Sequence, residues 1–305
     1  MTKLSLLIPL LISMGVRADI FGRDDRIDVL SSSSKSELGR AVAVGVINSL
    51  WTDLGNGNSE LYADPISEYM CKDERFVNQA SVSYACTGFL VGPDLLVTAG
   101  HCGTNTGEVR NSSEGYCEAY TWMFDYRADS DVNRIPNNDI YKCSEIIYAV
   151  QQEIDGNMQD FSLIRLDRKV EGRTPLKLAQ QEAKLNERIT MLGHPMGLPL
   201  KYTYSARVFR GVEGRSFLTN LDAFGGNSGS PVFNTKNEVV GVLIAGNPSV
   251  ATYRDPKAGC DRYNHCDDNG KNCTSLPHNS EDGFPNTFSE VQSISAYVGE
   301  INKSL

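Results

Sequence analysis

Short apolar runs rich in β-branched and aromatic residues recur along most of this chain, and Gly, Asn and Asp residues separate them. In the segment YTYSARV, residues 202–208, the larger apolar groups alternate with polar ones, which is the period of a half-buried strand. About a dozen such runs and almost no stretch of helical period predict an all-β protein. The runs span residues 42–47, 82–91, 95–99, 120–126, 140–150, 161–166, 189–192, 202–209, 216–221, 231–233 and 239–245.

The C-terminal stretch is an exception to the strand pattern. Residues 291–305 place apolar side chains near helical spacing, namely Val291, Ile294, Ala296, Val298 and Ile301. We therefore expect a C-terminal α-helix that packs on the β-structure.

The N-terminus has the pattern of a secretion signal. Lys3 is followed by a mostly apolar core of about 13 residues, and Val16 and Ala18 precede a plausible cleavage site. The core is too short for a membrane anchor, which needs about 20 apolar residues. We expect cleavage after Ala18 and a secreted product, extracellular or periplasmic, with no membrane attachment. Residues 19–40 are polar and are expected to form a pro-segment or N-terminal arm.

Charge and cysteine content narrow the function classes. The chain has 29 basic and 38 acidic residues, a net charge of −9, which argues against a nucleic-acid partner. In an exported chain, eight cysteines indicate disulfides. A zinc site is disfavoured, because no C-x-x-C pair or Cys/His cluster at ligand spacing occurs apart from the neighbours His265 and Cys266. The acidic string CDDNG, residues 266–270, is similar to fragments of calcium loops, but it lacks an EF-hand series that ends in Glu, so calcium is only a second hypothesis and no metal is expected. No cofactor is expected either.

Three short strings carry the residues of a nucleophilic triad. They are TAGHC at 98–102, DFSLIRL at 160–166 and GGNSGSP at 225–231, and they supply His101, Asp160 and Ser228 in that order. A serine hydroxyl needs an adjacent base to become a nucleophile at neutral pH. An imidazole can serve as that base, and a buried carboxylate holds its tautomer and stabilises the imidazolium.

The glycines around Ser228 suit the second requirement of acyl transfer, which is an oxyanion hole. They let the backbone turn sharply, so that two amide groups can point at the developing oxyanion. The amides expected in that role are those of Gly226 and Ser228.

The strings CTGFLVGPDLLVTAGHC, residues 86–102, and GGNSGSPVFN, residues 225–234, resemble those of the chymotrypsin-fold serine endopeptidases. The resemblance covers most of the chain from about Val42 onward. It implies two six-stranded antiparallel β-barrels with the active site between them, in one peptidase domain over residues 41–305. It also implies protein or peptide substrates and a disulfide between Cys86 and Cys102 that closes the histidine loop.

One alternative concerns the triad acid. Asp139 also precedes an apolar run, but the residues that follow it, IYKC, do not match the family string. Asp139 is therefore the second candidate after Asp160.

The residue before the serine departs from the trypsin pattern. Asn227 stands where trypsin-like zymogens carry an Asp that pairs with the new N-terminal ammonium, and a neutral Asn cannot form that ion pair. In this respect the chain is similar to the bacterial glutamyl endopeptidases, which share the sequence pattern GNSGSPVFN…NEVVG. If the zymogen is activated by a cut, which we expect near Arg40–Ala41, its mechanism differs from that of trypsinogen.

The resemblance also indicates which residues would form the primary specificity pocket. Asp222, six residues before Ser228, takes the position at the base of the trypsin pocket, with Ala223 beside it and Gly246 on the wall. Leu243 stands where glutamyl endopeptidases carry a substrate-reading histidine, so a Glu preference is disfavoured. We expect a weak preference for basic residues before the cut. One observation argues against a basic preference. Phe224 replaces the cysteine of the pocket disulfide, so the segment NLDAFGG, residues 220–226, could bend differently from the trypsin pocket.

The other disulfides are less constrained. Cys117 with Cys143 is the next choice, since both flank strands of the first barrel. Cys71 then pairs with one of three cysteines in the polar insertion 247–286, and the remaining two staple that insertion; the three are Cys260, Cys266 and Cys273.

The leading hypothesis is a monomeric secreted serine endopeptidase, and the alternative is a non-catalytic homologue that acts as a binding module. A replaced triad member would favour the alternative, and none is replaced. His194, in the string GHPMGLP, is a further catalytic candidate, but its Gly and Pro neighbours favour a turn with a structural role.

Overall fold

The computed structural model describes residues 19–82, 86–103, 116–154, 157–211, 215–246, 252–275 and 287–305. The expected signal segment, residues 1–18, lies outside these ranges, as do parts of the insertion 247–286.

Six antiparallel strands close the first barrel. In order around the barrel they are Tyr120–Phe124, Ile140–Ile154, Asn157–Leu166, Leu95–Thr98, Cys86–Leu90 and Val42–Ile47. Closure comes from the pairing of the last strand with the first, in the register Tyr120 with Ile47 and Phe124 with Ala43.

The second barrel also closes with six strands. In order they are Arg188–Gly193, Pro231–Phe233, Val239–Gly246, Ser289–Ser293, Ser216–Thr219 and Lys201–Gly211. The last strand pairs back with the first, in the register Gly193 with Lys201. The expected architecture of two six-stranded barrels is therefore confirmed.

Short strands outside the barrels form small ladders. Ile20–Phe21 pairs with His265–Cys266, Asp64–Pro65 with Ala80–Ser81, and Thr252–Asp255 with Cys260–Tyr263. A further small sheet consists of Trp51–Asp53, Asn58–Leu61 and Ile135–Pro136. Single 3₁₀ turns occur at Asn48–Leu50, Ile66–Glu68, Gly100–Cys102, Asn137–Asp139, Pro195–Gly197 and Ile294–Tyr297.

The α-helices among the described residues are Ser36–Gly39, Tyr116–Ala119 and Val298–Ser304. None of these helices has the length and apolar character needed to cross a membrane. The expected C-terminal helix is present, but it starts later than the sequence pattern indicates. Val291 belongs to the strand Ser289–Ser293, which pairs with barrel strands on both sides, so that sheet pairing overrides the helical spacing.

The C-terminal segment braces the first barrel. The 3₁₀ turn Ile294–Tyr297 lies against it, and the ring of Tyr297 stacks on that of Phe161 with centroids 3.9 Å apart. Both side chains are buried. This contact fixes the strand that carries Asp160, the residue preceding Phe161.

The segment 19–29 packs onto the second barrel. Ile27–Asp28 adds an edge strand to Lys201–Gly211, and Asp19, Ile20 and Arg26 are fully buried. Arg40 has helical backbone angles, and the next residue, Ala41, is also fully buried. The expected cut near Arg40–Ala41 therefore requires this turn to open.

Four disulfides are present, and the described residues include no free cysteine. They join Cys86 to Cys102, Cys117 to Cys143, Cys71 to Cys260 and Cys266 to Cys273. The third connects the loop after the small sheet to the insertion, and the fourth closes a tight loop inside the insertion.

Candidate active site

His101 and Asp160 are brought together by two neighbouring strands of the first barrel. Leu95–Thr98 runs antiparallel to Asn157–Leu166, with Thr98 opposite Ser162. The chain then enters the 3₁₀ turn Gly100–Cys102, which directs His101 back toward the start of the neighbouring strand. Asp160 lies there, only 4% exposed.

The Asp160 carboxylate holds His101 at two points. Its Oδ2 atom lies 2.7 Å from Nδ1 of the imidazole, and its Oδ1 atom accepts the backbone amide of His101 at 2.8 Å. Burial alone would lower the pKa of His101, but the charge and hydrogen bond of Asp160 outweigh it and raise that pKa. With Nδ1 bound to the carboxylate, Nε2 is left to act as a base.

The second candidate acid is engaged elsewhere. Asp139 accepts a 2.5 Å hydrogen bond from Arg173, which also contacts Asp125. The backbone amide of Asp160 is itself anchored, since it donates to Oε1 of Gln292 at 3.3 Å.

Ser228 lies in a tight turn that contacts the first barrel. Its carbonyl oxygen accepts the backbone amide of Thr87 at 2.7 Å and lies 3.9 Å from Sγ of Cys102, the neighbour of His101. The following residue, Gly229, has φ +88°, and a Cβ there would lie 2.0 Å from the carbonyl oxygen of Thr87. Only glycine fits this approach, which seats the Ser228 turn beside the histidine loop.

The two expected oxyanion donors are available. Gly226 has φ +96°, and a Cβ there would lie 2.3 Å from the carbonyl oxygen of His194. Within the part of the chain that the structure describes, the amides of Gly226 and Ser228 donate to no protein acceptor. Such amides can bind a developing oxyanion.

The four expected pocket residues differ in accessibility. Ala223 and Leu243 are fully buried and Asp222 is 2% exposed, whereas Gly246 is half-buried at the end of the strand Val239–Gly246.

Asp222 is occupied by the N-terminal segment. Its Oδ1 accepts the amide of Phe21 at 2.7 Å, and its Oδ2 accepts the amide of Asp25 at 3.1 Å. Burial, followed by the charge of Asp25, raises the pKa of Asp222 well above its usual range. Burial and the charge of Asp24 likewise raise the pKa of Asp25 to about 7.

Arg26 lies beside this carboxyl pair. Its guanidinium is paired with Asp24 at 2.9 Å and stands 4.5 Å from the ring centroids of both Phe224 and Tyr263. Phe224, which takes the place of a disulfide cysteine, is therefore held by an aromatic and cationic cluster.

The described residues offer little to a metal ion. One group with closely spaced ligand atoms occurs among them, Cys86, His101 and Cys102, and its two sulfurs form a disulfide. In the acidic insertion, the Asp267 carboxylate accepts the amides of Asn269 and Lys271 and the side chain of Asn272. The loop thus satisfies its own carboxylate.

His194 has a structural position. It is fully buried, its Nδ1 lies 3.0 Å from the carbonyl oxygen of Leu198, and its ring stacks on Tyr126. Burial lowers its pKa to about 3, so the ring is neutral at physiological pH.

Sequence reasoning missed Thr87 and Met196, which contact the site. The hydroxyl of Thr87 donates to the carbonyl of Gly226 at 2.7 Å, and the amide of Met196 donates to Gly225 at 2.5 Å. Thr87 stands inside the string that carries the family resemblance, but its partner 139 positions away cannot be read from that string.

Comparisons with known proteins identify the family and the fold. Residues 86–242, a little over half of the chain, match the family model described as a trypsin-like peptidase domain. Among solved structures, a Glu endopeptidase in complex with MPD is similar at TM-score 0.50 and 15% identity, over 93% of this chain and 98% of that one. A scabies mite inactivated protease paralogue is similar at TM-score 0.50 and 13% identity, with the same coverage. At these identities the two structures support the fold. The match to the family model shows that this chain belongs to the family of trypsin-like peptidase domains, the serine endopeptidases.

Proposed function

We propose that this protein is a secreted serine endopeptidase that works through an acyl-enzyme, with His101, Asp160 and Ser228 as its triad. The observation that carries the proposal is the 2.7 Å contact between Nδ1 of His101 and Oδ2 of Asp160, because it leaves Nε2 as the free base. The Ser228 turn, seated against Thr87 and Cys102, supports the same assignment.

In the first half-reaction, Nε2 of His101 takes the proton of the Ser228 hydroxyl as Oγ bonds to the scissile carbonyl carbon. The amides of Gly226 and Ser228 stabilise the negative oxygen of the tetrahedral intermediate. The intermediate collapses, the C–N bond breaks, and His101 returns its proton to the leaving amine.

In the second half-reaction, water attacks the acyl-enzyme and gives its proton to His101. The acyl–oxygen bond then breaks and Ser228 recovers the proton. Asp160 stays ionised throughout and stabilises the imidazolium. The acid–base, nucleophilic and oxyanion-binding groups of this cycle all belong to the chain, and the substrate is a peptide or protein.

Specificity depends on the segment 19–26. Asp222 could bind a basic side chain by ion pairing, but its two oxygens accept the amides of Phe21 and Asp25. The expected weak preference for basic residues would therefore require this segment to leave. While it stays, we propose a pocket that selects uncharged side chains before the cut.

The maturation steps are part of the proposal. We propose signal removal after Ala18, a zymogen cut near Arg40–Ala41 and a monomeric product. Residues 19–40 contain no cysteine, so after such a cut this segment would be held only by non-covalent contacts. These include the pairing of Ile27–Asp28 with the second barrel, the pairing of Ile20–Phe21 with the insertion and the hydrogen bond from Arg127 to Ser36.

The alternative is a non-catalytic homologue. It deserves a direct test because one of the similar structures is an inactivated protease paralogue. A triad that is complete in sequence favours the enzyme.

The test compares the purified secreted protein with Ser228→Ala on casein and on a peptide library. Ser59→Ala is the matched control, because Ser59 is also buried and hydrogen-bonded but lies in the small sheet. We expect cleavage by the wild type and by Ser59→Ala and none by Ser228→Ala. Equal activity of all three proteins, or none in the wild type, would exclude the proposal.

A further inference from the structure

We propose that Thr87 and the turn at residues 194–197 hold the oxyanion loop in its working orientation, in place of an N-terminal ion pair. Thr87 is a positioning residue in this proposal, since it acts through the backbone of Gly226 and Ser228. The inference rests on the proposed function, because it assigns those two amides to the oxyanion hole.

Thr87 makes three hydrogen bonds that tie the barrels together at the site. Its hydroxyl donates to the carbonyl of Gly226 at 2.7 Å and accepts the amide of His194 at 3.1 Å. Its own amide donates to the carbonyl of Ser228 at 2.7 Å. The side chain is fully buried, so water is not a ready substitute for these bonds.

The peptide between Gly225 and Gly226 is held from the other side. The amide of Met196 donates to the carbonyl of Gly225 at 2.5 Å. In a trans peptide, the carbonyl and the following N–H point in opposite directions. A fixed Gly225 carbonyl therefore directs the Gly226 N–H away from the turn, as an oxyanion donor requires.

The turn that supplies Met196 packs closely against Val82. Met196 has φ 56° and Gly197 has φ +68°, and a Cβ at Gly197 would lie 1.9 Å from the carbonyl oxygen of Val82. The ring of His194 closes the turn through its 3.0 Å contact with the carbonyl of Leu198. His194 thus stabilises the turn whose Met196 amide binds the carbonyl of Gly225.

Asn227 explains why such a support is needed. It is fully buried and neutral, so it cannot attract an ammonium group as an aspartate would. Its Nδ2 atom has no hydrogen-bond partner among the described atoms. The order of the loop must then come from neutral contacts, and those of Thr87 and Met196 reach it directly.

The test compares Thr87→Val, Thr87→Ala and Thr87→Ser with the wild type on one peptide substrate from the library. Thr121→Val is the matched control, since the Thr121 hydroxyl also accepts an N–H, from Trp51, and donates to a carbonyl, that of Val46. The readouts are kcat, KM, the melting temperature and the affinity of a peptide boronate, whose oxygen occupies the oxyanion position.

We expect Thr87→Val and Thr87→Ala to lower kcat and weaken the boronate by about ten- to a hundredfold, because small misplacements of catalytic groups have effects of that size. KM should change less than threefold, and Thr87→Ser should restore kcat. Thr121→Val should lose thermal stability without losing kcat. The inference is overturned if Thr87→Val keeps the kcat of Thr121→Val, or if Thr87→Ser is as slow as Thr87→Val. An inactive wild type would instead refute the proposed function, and this inference with it.

Discussion

The backbone amide of Phe21 donates a 2.7 Å hydrogen bond to Oδ1 of Asp222, across 201 positions of sequence. The amide of Asp25 binds the other oxygen of the same carboxylate. The residue at the expected base of the specificity pocket is thus part of the packing of the N-terminal segment. While the segment is bound, Asp222 is therefore expected to hold the N-terminal segment and not to bind a basic substrate side chain.

Asp222→Asn tests the role of that carboxylate in specificity. While the N-terminal segment is bound, we expect the library cleavage profile to stay unchanged, because Asp222 is already occupied by two amides. Asp268→Asn, an exposed change near the same segment, is the control. If Asp222 reads basic side chains, cleavage after Arg and Lys should instead fall by about a hundredfold, as expected for a broken buried ion pair.

Asp25→Asn tests the electrostatics of the segment. Since the pKa of Asp25 is raised to about 7 from 3.8, the folded state binds this proton more tightly than the unfolded chain. The stability that this group contributes therefore falls as pH rises from about 4 to about 7. We expect Asp25→Asn to melt like the wild type at pH 4 and about 10 °C above it at pH 8. A difference that does not change with pH would contradict this assignment.

Asp160→Asn tests the triad acid. We expect kcat to fall by about four orders of magnitude with little change in KM, because the imidazole loses its orientation and its counter-charge. Asp139→Asn should keep wild-type kcat, since Asp139 contacts Arg173 instead.

The pH profile gives the same assignment a second readout. The general base must be neutral, so kcat/KM of the wild type should rise with pH through the raised pKa of His101, above the usual 6.5. In Asp160→Asn, burial lowers the pKa of His101 without the opposing carboxylate, so the increase of kcat/KM with pH should occur at a lower pH than in the wild type. If the increase occurs at the same pH in both proteins, Asp160 does not set the pKa of His101.

The disulfide between Cys71 and Cys260 is expected to serve stability alone. Replacing both cysteines with serine should lower the free energy of unfolding by about 2–5 kcal/mol, as for other long-range disulfides. The kcat on a short peptide should stay within twofold of the wild type. Replacing Cys86 and Cys102 with serine should lower both the free energy of unfolding and kcat, because Cys102 adjoins His101 and its Sγ lies beside the carbonyl oxygen of Ser228.

The strands and the catalytic strings could be predicted because their signals are local. Alternating apolar residues mark the strand 201–211, and the glycines flanking Ser228 mark a sharp turn. A local signal gave a wrong prediction at Val291. The apolar residues there have helical spacing, but the segment pairs with a strand on each side and is itself a strand.

Contacts between distant parts of the chain could not be predicted in this way. Nothing near Asp222 in sequence indicates that Phe21 and Asp25 bind it, since segment 19–29 reads as a polar arm. The bond from Thr87 to Gly226 is equally hidden, because it depends on how the two barrels meet.

The most direct test of the central claim is covalent labelling of the secreted protein with a sulfonyl fluoride, followed by peptide mapping by mass spectrometry. We expect one adduct per chain, on Ser228, loss of casein cleavage in proportion to labelling, and a labelling rate that collapses in His101→Ala. An unlabelled folded protein, or an adduct on another residue with Ser228 unmodified, would contradict the assignment of Ser228 as the nucleophile.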